Sequence, residues 1–164
     1  MKSTYANRGK FLESVIERSN ITYKTKGIAL IEKVATPINY NTRTNKAFHE
    51  KKSTVDFIGC MANGGPFIAF DAKETKGKSF PFANVTDHQI EYMEYTNRMG
   101  HVAFLLLYFT DLRECYRLTI DQYVTYKQAA DRKSIPHQWI KDNAVLIESG
   151  YGLPLDYLKN INGV

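Results

Sequence analysis

Cysteine is almost missing from this chain: 164 residues contain two, Cys60 and Cys115, with neither a C-x-x-C pair nor histidines at metal-ligand spacing. That excludes a disulfide framework and a structural zinc site, and leaves two reduced, half-buried thiols without a role. Long apolar runs are missing too. None reaches the roughly 18 residues that a membrane-spanning helix needs, and the N-terminal Met1-Lys-Ser-Thr-Tyr-Ala-Asn-Arg8 lacks the apolar centre of a secretory signal. No segment combines a clean apolar helical face with a lysine-rich one, so membrane-surface binding is not expected either. Repeats and low-complexity tracts are absent. With 43% hydrophobic residues and no break in composition, the expectation is one cytoplasmic domain spanning 1–164 with a sizeable core.

Positive charge is unevenly placed. Residues 1–52 carry eleven Lys or Arg against four Asp or Glu, and the remainder eleven against thirteen, which together make the net charge of +5. A basic third in a soluble domain suits contact with a phosphate backbone, although a solvated surface has the same composition.

The most informative residues are Ser53-Thr-Val-Asp56-Phe-Ile-Gly59 and, 15 residues after that Asp, Asp71-Ala-Lys73. Phe67 to Lys73 reads as a strand. Residues two apart on a strand share a face, so Asp71 and Lys73 should project together while Ile68, Phe70 and Ala72 enter the core. Thr54 to Ile58 also reads as a strand, ending at Gly59, and Asn63-Gly-Gly-Pro66 is a turn signal, so an antiparallel hairpin should bring Asp56 beside Asp71. Two such carboxylates repel unless a cation lies between them, and Mg²⁺ commonly takes one or two carboxylates while keeping waters and phosphate oxygens. Such a cation activates water and neutralises charge on a phosphodiester, and Lys73 can stabilise the extra charge of the transition state. The reaction class is phosphodiester hydrolysis. The other reading is a solvated face with a surface ion pair, because D-x-K alone is common.

These residues belong to a longer series. Ala6-Asn-Arg8-Gly9, Leu12-Glu13, Thr36-Pro37, Ser53-Thr-Val-Asp56, Phe70-Asp-Ala-Lys-Glu-Thr75, Ser79-Phe-Pro81 and Asp87-His-Gln-Ile-Glu91 resemble, in order and spacing, the landmarks of the RecU-type Holliday-junction resolvases of the PD-(D/E)xK nuclease group. The resemblance covers most of the chain. It implies that Asp56 and Asp71 are metal ligands, that Lys73 is the catalytic lysine, and that Glu13, Thr54 and Gln89 lie around the same site, Glu13 with the catalytic residues and Thr54 and Gln89 with those at the metal. It also implies a Mg²⁺ cofactor with Mn²⁺ as a substitute, four-way DNA junctions as substrate, a homodimer with two active sites, and a recombinase as a further partner. Where the family often has Glu before the Ala-Lys pair, this chain has Asp71.

The remaining pattern is compatible with that reading. A first helix is predicted over Thr4–Ser19, with Phe11, Leu12, Val15 and Ile16 as its apolar stripe and Glu13 at the stripe's edge. Gly27–Val34 reads as a strand. The polar stretch 37–52, with Tyr40, Phe48, Arg43, Lys46, Lys51 and Lys52, suits base stacking and phosphate contact; in the family this region is a stalk that engages the junction. A flexible surface insertion is the alternative. Lys76 and Lys78, after the proposed catalytic strand, and Arg8 complete the expected DNA-binding set. Thr86-Asp-His-Gln89 opens a helix to about Met99, in which Gln89 either reaches the site or closes a capping box. His101–Phe109 reads as a central strand buried on both faces, Glu114–Ile120 as another strand, and Asp121–Ala130 as a short helix. Trp139, Tyr151, Leu153, Leu155, Tyr157 and Leu158 read as core-closing or subunit-facing.

The expected architecture is α/β: a mixed central sheet flanked by helices, with a restriction-endonuclease-like core, the active site at one sheet edge and a protruding basic arm. The expected activity is Mg²⁺-dependent cleavage of four-way junctions. The alternatives are a related nuclease cutting duplex or single-stranded DNA, and a non-catalytic DNA-binding recombination regulator.

Overall fold

In chain order the first elements are α1 (Lys10–Thr25), β1 (Ala29–Lys33), β2 (Ile38–Asn41), β3 (Lys46–His49), β4 (Phe57–Met61), β5 (Phe67–Thr75) and β6 (Ser79–Pro81). After a 3-10 turn at Phe82–Asn84 come α2 (Asp87–Arg98), β7 (Val102–Phe109), β8 (Glu114–Thr119), α3 (Ile120–Ala129), β9 (Ser134–Pro136), α4 (His137–Asn143) and β10 (Val145–Ile147). The computed structural model describes residues 10–35, 38–41, 43, 46–49 and 54–161, with 38–41 and 46–49 as backbone. No helix among them is long and apolar enough to cross a membrane.

The main sheet has the order β1-β4-β5-β7-β8-β10. Only β5 and β7 run parallel, because the chain between them crosses over through α2; the other neighbours are antiparallel. Both faces are covered. Leu12, Val15, Ile16 and Tyr23 of α1 pack with Leu153, Leu155, Tyr157 and Leu158 against one face, which includes Ile68, Phe70 and Ala72. Ile90 and Met93 of α2, Ile120 and Tyr123 of α3 and Ile140 of α4 cover the other, which includes Ala69, Leu105 and Leu107. Burial on both faces makes β7 the continuous apolar run anticipated for a central strand.

Several boundaries differ from expectation. Helix α1 passes Ser19 and runs to Thr25 because Asn20 and Tyr23 continue its buried face. It stops at Gly27, whose φ of 64° admits a left-handed residue, with Gly27 N–H donating to Lys24 O at 3.1 Å and Ile28 N–H to Tyr23 O at 2.9 Å. Residues 4–9 of the predicted helix lie outside the described residues. Within the stretch 37–52, read as a basic arm or a surface insertion, β2 and β3 pair as a separate antiparallel ribbon from Ile38↔His49 to Asn41↔Lys46. Polar four-residue strands carry no hydrophobic alternation from which they could be read. The thiols are not alike: Cys60 is exposed and Cys115 buried. Tyr151 is 83% exposed and does not close the core.

The β4–β5 hairpin forms as expected, turning at Asn63 and Gly64 with φ of 57° and 74°. Its first strand is displaced, however. Gly59 lies inside β4 rather than at its end, and Asp56 sits in a bend just before it. The reason is β1, which pairs outside β4 and approaches so closely that a Cβ on Gly59 would lie 2.0 Å from Leu30 O. That pairing makes β4 interior, and β5 lies between β4 and β7, so Asp71 and Lys73 sit within the sheet and not at its edge. Phe57, Phe70 and Phe104, consecutive across β4, β5 and β7, stack with centroids 5.0 and 4.8 Å apart and fix these strands laterally. Gly59→Ala should therefore destabilise the protein by about 1–3 kcal/mol through overpacking. An unchanged urea midpoint would show that β1 can yield at no cost.

Candidate active site

Strand alternation sends Asp71 and Lys73 toward the α2 side of the sheet, opposite Phe70 and Ala72. This face was read as projecting outward, but helices cover it and Asp71 has 0% exposure. An ionised carboxylate so placed must find partners. Asp71 Oδ1 accepts from Gln89 Nε2 at 3.0 Å, and Oδ2 forms an ion pair with the Lys73 ammonium. Lys73 is the only cation in ion contact with Oδ2 among the described residues.

Asp56 reaches the same point from the bend just before β4. One rung beyond Phe57↔Phe70 the backbone ladder gives way, and Asp56 Oδ2 accepts the Ala72 N–H at 2.9 Å in place of a strand carbonyl. The carboxylate is thereby tied to the backbone beside Asp71. Burial pushes the Asp71 carboxyl up to about 7, against the opposing pull of Lys73 and with a further rise from neighbouring Asp56. A buried oxygen with unused lone pairs, beside a second carboxylate, fits a divalent cation by charge and by donor chemistry. Asp56 and Asp71 are the residues able to hold it. No cluster of three or more His, Cys, Asp or Glu able to bind a metal occurs among the described residues, so waters or substrate oxygens would complete any such sphere.

Gln89 combines the two roles that its position left open. Thr86 is the N-cap of α2; Gln89 Oε1 accepts from Thr86 N at 3.0 Å while the Gln89 N–H donates to Thr86 Oγ1 at 3.4 Å. The cap fixes the amide so that its NH₂ meets Asp71. Gln89 thus presents a donor, not its oxygen, to the centre.

The structure brings together Asp56, Asp71, Lys73 and Gln89. Glu13 Oε2 pairs with Lys33 Nζ at 2.6 Å, and Lys33 stands opposite Phe57, the residue after Asp56. Thr54 is half-buried two residues before Asp56 and makes no side-chain hydrogen bond with the described residues. Arg43 is exposed at the tip of the β2–β3 ribbon, Lys46 begins β3, and Lys76 and Lys78 are exposed just after β5. Arg8, Lys51 and Lys52 lie outside the described residues. Sequence reasoning passed over Glu74, whose Oε1 accepts the Leu12 N–H at 2.8 Å and ties the start of α1 to the strand bearing Lys73. Its signal was its place beside Lys73, one step out of phase and so facing α1.

A carboxylate pair and a lysine, on β5 and in the bend before β4, place the chain among α/β proteins with a buried acidic centre built into a mixed sheet. Residues 7–163 match the family model described as Recombination protein U. Two Geobacillus proteins named Holliday junction resolvase RecU are similar: that of strain WCH70 is 35% identical, covering 98% of this chain and 85% of the relative. That of Geobacillus kaustophilus is 36% identical, covering 98% and 86%. The solved structure of Archaeoglobus fulgidus Hjc, a Holliday junction resolvase, aligns with 81% of this chain and 94% of its own at 14% identity and a TM-score of 0.47. The chain belongs to the RecU family.

A carboxyl whose folded value lies near 7 against an unfolded value near 3.9 holds more protons folded than unfolded between those limits. Without metal, its contribution to stability therefore falls as pH rises from about 4 through about 7. Asp71→Asn should remove this decline. In chelator, the midpoint difference between Asp71→Asn and the parent should grow in the variant's favour from pH 5 to pH 8; a constant difference would show that Asp71 does not titrate in that window.

Proposed function

We propose that this protein is a divalent-metal-dependent endonuclease that cleaves four-way DNA junctions, as the names of its RecU relatives describe. The observation that carries the chemistry is the buried carboxylate of Asp71 gathered beside Asp56 and the Lys73 ammonium. Asp56 and Asp71 would hold Mg²⁺, with Mn²⁺ as a substitute. When bound, the cation supplies charge neutralisation at the phosphodiester and a more acidic water.

The protein's own residues do the rest. Gln89 holds Asp71 Oδ1 and thereby orients the carboxylate. The Ala72 N–H holds Asp56 in the same way. Lys73, 21% exposed and in contact with Asp71, carries its ammonium between the buried carboxylate and solvent, where it can donate to the attacking water or to a phosphate oxygen as charge builds. Phosphodiester hydrolysis follows from these positions: water attacks phosphorus, the P–O bond to the leaving strand breaks, and that oxygen takes up a proton. Symmetric cutting of two strands requires two such sites, hence a homodimer, acting in the cytoplasm where DNA and a recombinase partner are found.

Asp71→Asn and Asp56→Asn should each abolish Mg²⁺-dependent cleavage of a four-way junction while nearly preserving junction binding. Lys73→Ala should lower the rate by about 10²–10³ with little change in affinity. A gel assay on junction, duplex and single strand decides: near-parental cutting by either Asn variant contradicts the metal site, and equal cutting of duplex contradicts junction selectivity.

The arm makes a separate prediction. Replacing Arg43, Lys46, Lys51 and Lys52 by Ala should weaken junction binding more than duplex binding. It should also reduce the slope of log affinity against log salt by up to about 3–4 units, roughly 0.9 for each lost phosphate contact. An unchanged slope in a salt titration would make the arm a passive surface.

A further inference from the structure

Next to Lys73 the surface opens into a cleft of about 400 Å³ lined by Lys73, Glu74, Thr75, Lys76, Asn84 and Thr110. This is within the size range of sites that enclose a small ligand. Its walls are fixed. Thr110 N–H donates to Thr75 O at 2.9 Å and Phe82 N–H to Lys133 O at 3.1 Å, Gly77 N–H donates to Asp111 Oδ2 at 3.0 Å, and Phe82 packs edge-on against Tyr123.

Two side chains on these fixed walls have no partner among the described residues. Asn84, at the end of the 3-10 turn, is exposed and makes no hydrogen bond with them. Lys76 is exposed and has no carboxylate within ion-pair distance among them. The cleft's one acid, Glu74, is already engaged by the Leu12 N–H. The lining therefore offers excess positive charge and a free amide, with both a donor and an acceptor, beside the lysine that touches Asp71. Its chemistry suits a group that is anionic at one end and carries a hydrogen-bonding edge at the other.

We propose that this cleft seats the nucleotide adjoining the cleaved phosphodiester, with Lys76 on its phosphate and Asn84 on the edge of its base. The inference rests on the reading of the protein as a DNA endonuclease. Phosphate contacts position a strand without reading it, whereas an amide against a base edge discriminates among bases. Asn84 thus selects the point of cutting more than it adds to affinity, which many backbone contacts share.

Two measurements test this. Junctions carrying each of the four bases at the two nucleotides flanking the cut are cleaved with Mg²⁺ by the parent and by Asn84→Ala. The parent should distinguish bases at one of these positions by about 5-fold or more, and Asn84→Ala should lose that preference, cleaving the four junctions at equal rates. No preference in the parent, or the same preference in the variant, overturns the proposal. In parallel, the side-chain amide resonance of Asn84 is followed in ¹⁵N-labelled protein as a four-nucleotide single strand is added without metal. A saturable shift is expected, and its absence also overturns the proposal. A shift in a protein that cuts no junction would overturn the endonuclease reading and leave the cleft as a nucleotide site; cutting without a shift would do the reverse.

Discussion

A carboxylate with no solvent exposure is the constraint around which this molecule is arranged. An ion taken from water costs several kcal/mol unless its partners replace the lost hydration, and at Asp71 they do so incompletely. Lys73 and the Gln89 amide favour the charged form; Asp56 opposes it. The group cannot escape to solvent, because β5 is an interior strand held by β4 on one side and β7 on the other. The stacked Phe57, Phe70 and Phe104 fill the reverse face of those three strands. The stability of that packing is what allows an unfavourable charge to persist at one point.

The two faces of β5 divide the labour. Asp71 and Lys73 face α2, whose capping box holds Gln89 against the carboxylate. Ile68, Phe70 and Ala72 face α1, and Glu74 holds the start of that helix. Changes at α1 or at the α2 cap can thus reach the centre through one strand without touching it directly.

Much of this was legible from residue pattern. Asn63-Gly64 announced the hairpin, the run before Phe109 announced a strand buried on both faces, and the spacing of Asp56, Asp71 and Lys73 picked out three residues that the fold gathers. What was not legible depends on tertiary approach. Gly59 looks like a strand end until β1 is seen against it. Asp71 looks solvent-facing until α2 and α3 cover its side of the sheet, since a period of two assigns faces but not what lies on them. The short β2–β3 ribbon, β9 and β10 have too few residues to carry a period. The pairing of Glu13 on α1 with Lys33 on β1 was likewise not legible. An ion pair between residues 20 apart leaves no local trace.

The central claim is that Asp71 is a deliberately under-satisfied ligand which a cation completes. Calorimetric titration of Mg²⁺ into the DNA-free protein tests it most directly. The account predicts saturable binding at pH 8 that weakens as pH falls through about 7, because proton and cation compete for one carboxylate, and that is lost in Asp71→Asn. Binding that survives in Asp71→Asn, or that is indifferent to pH across this range, would contradict it.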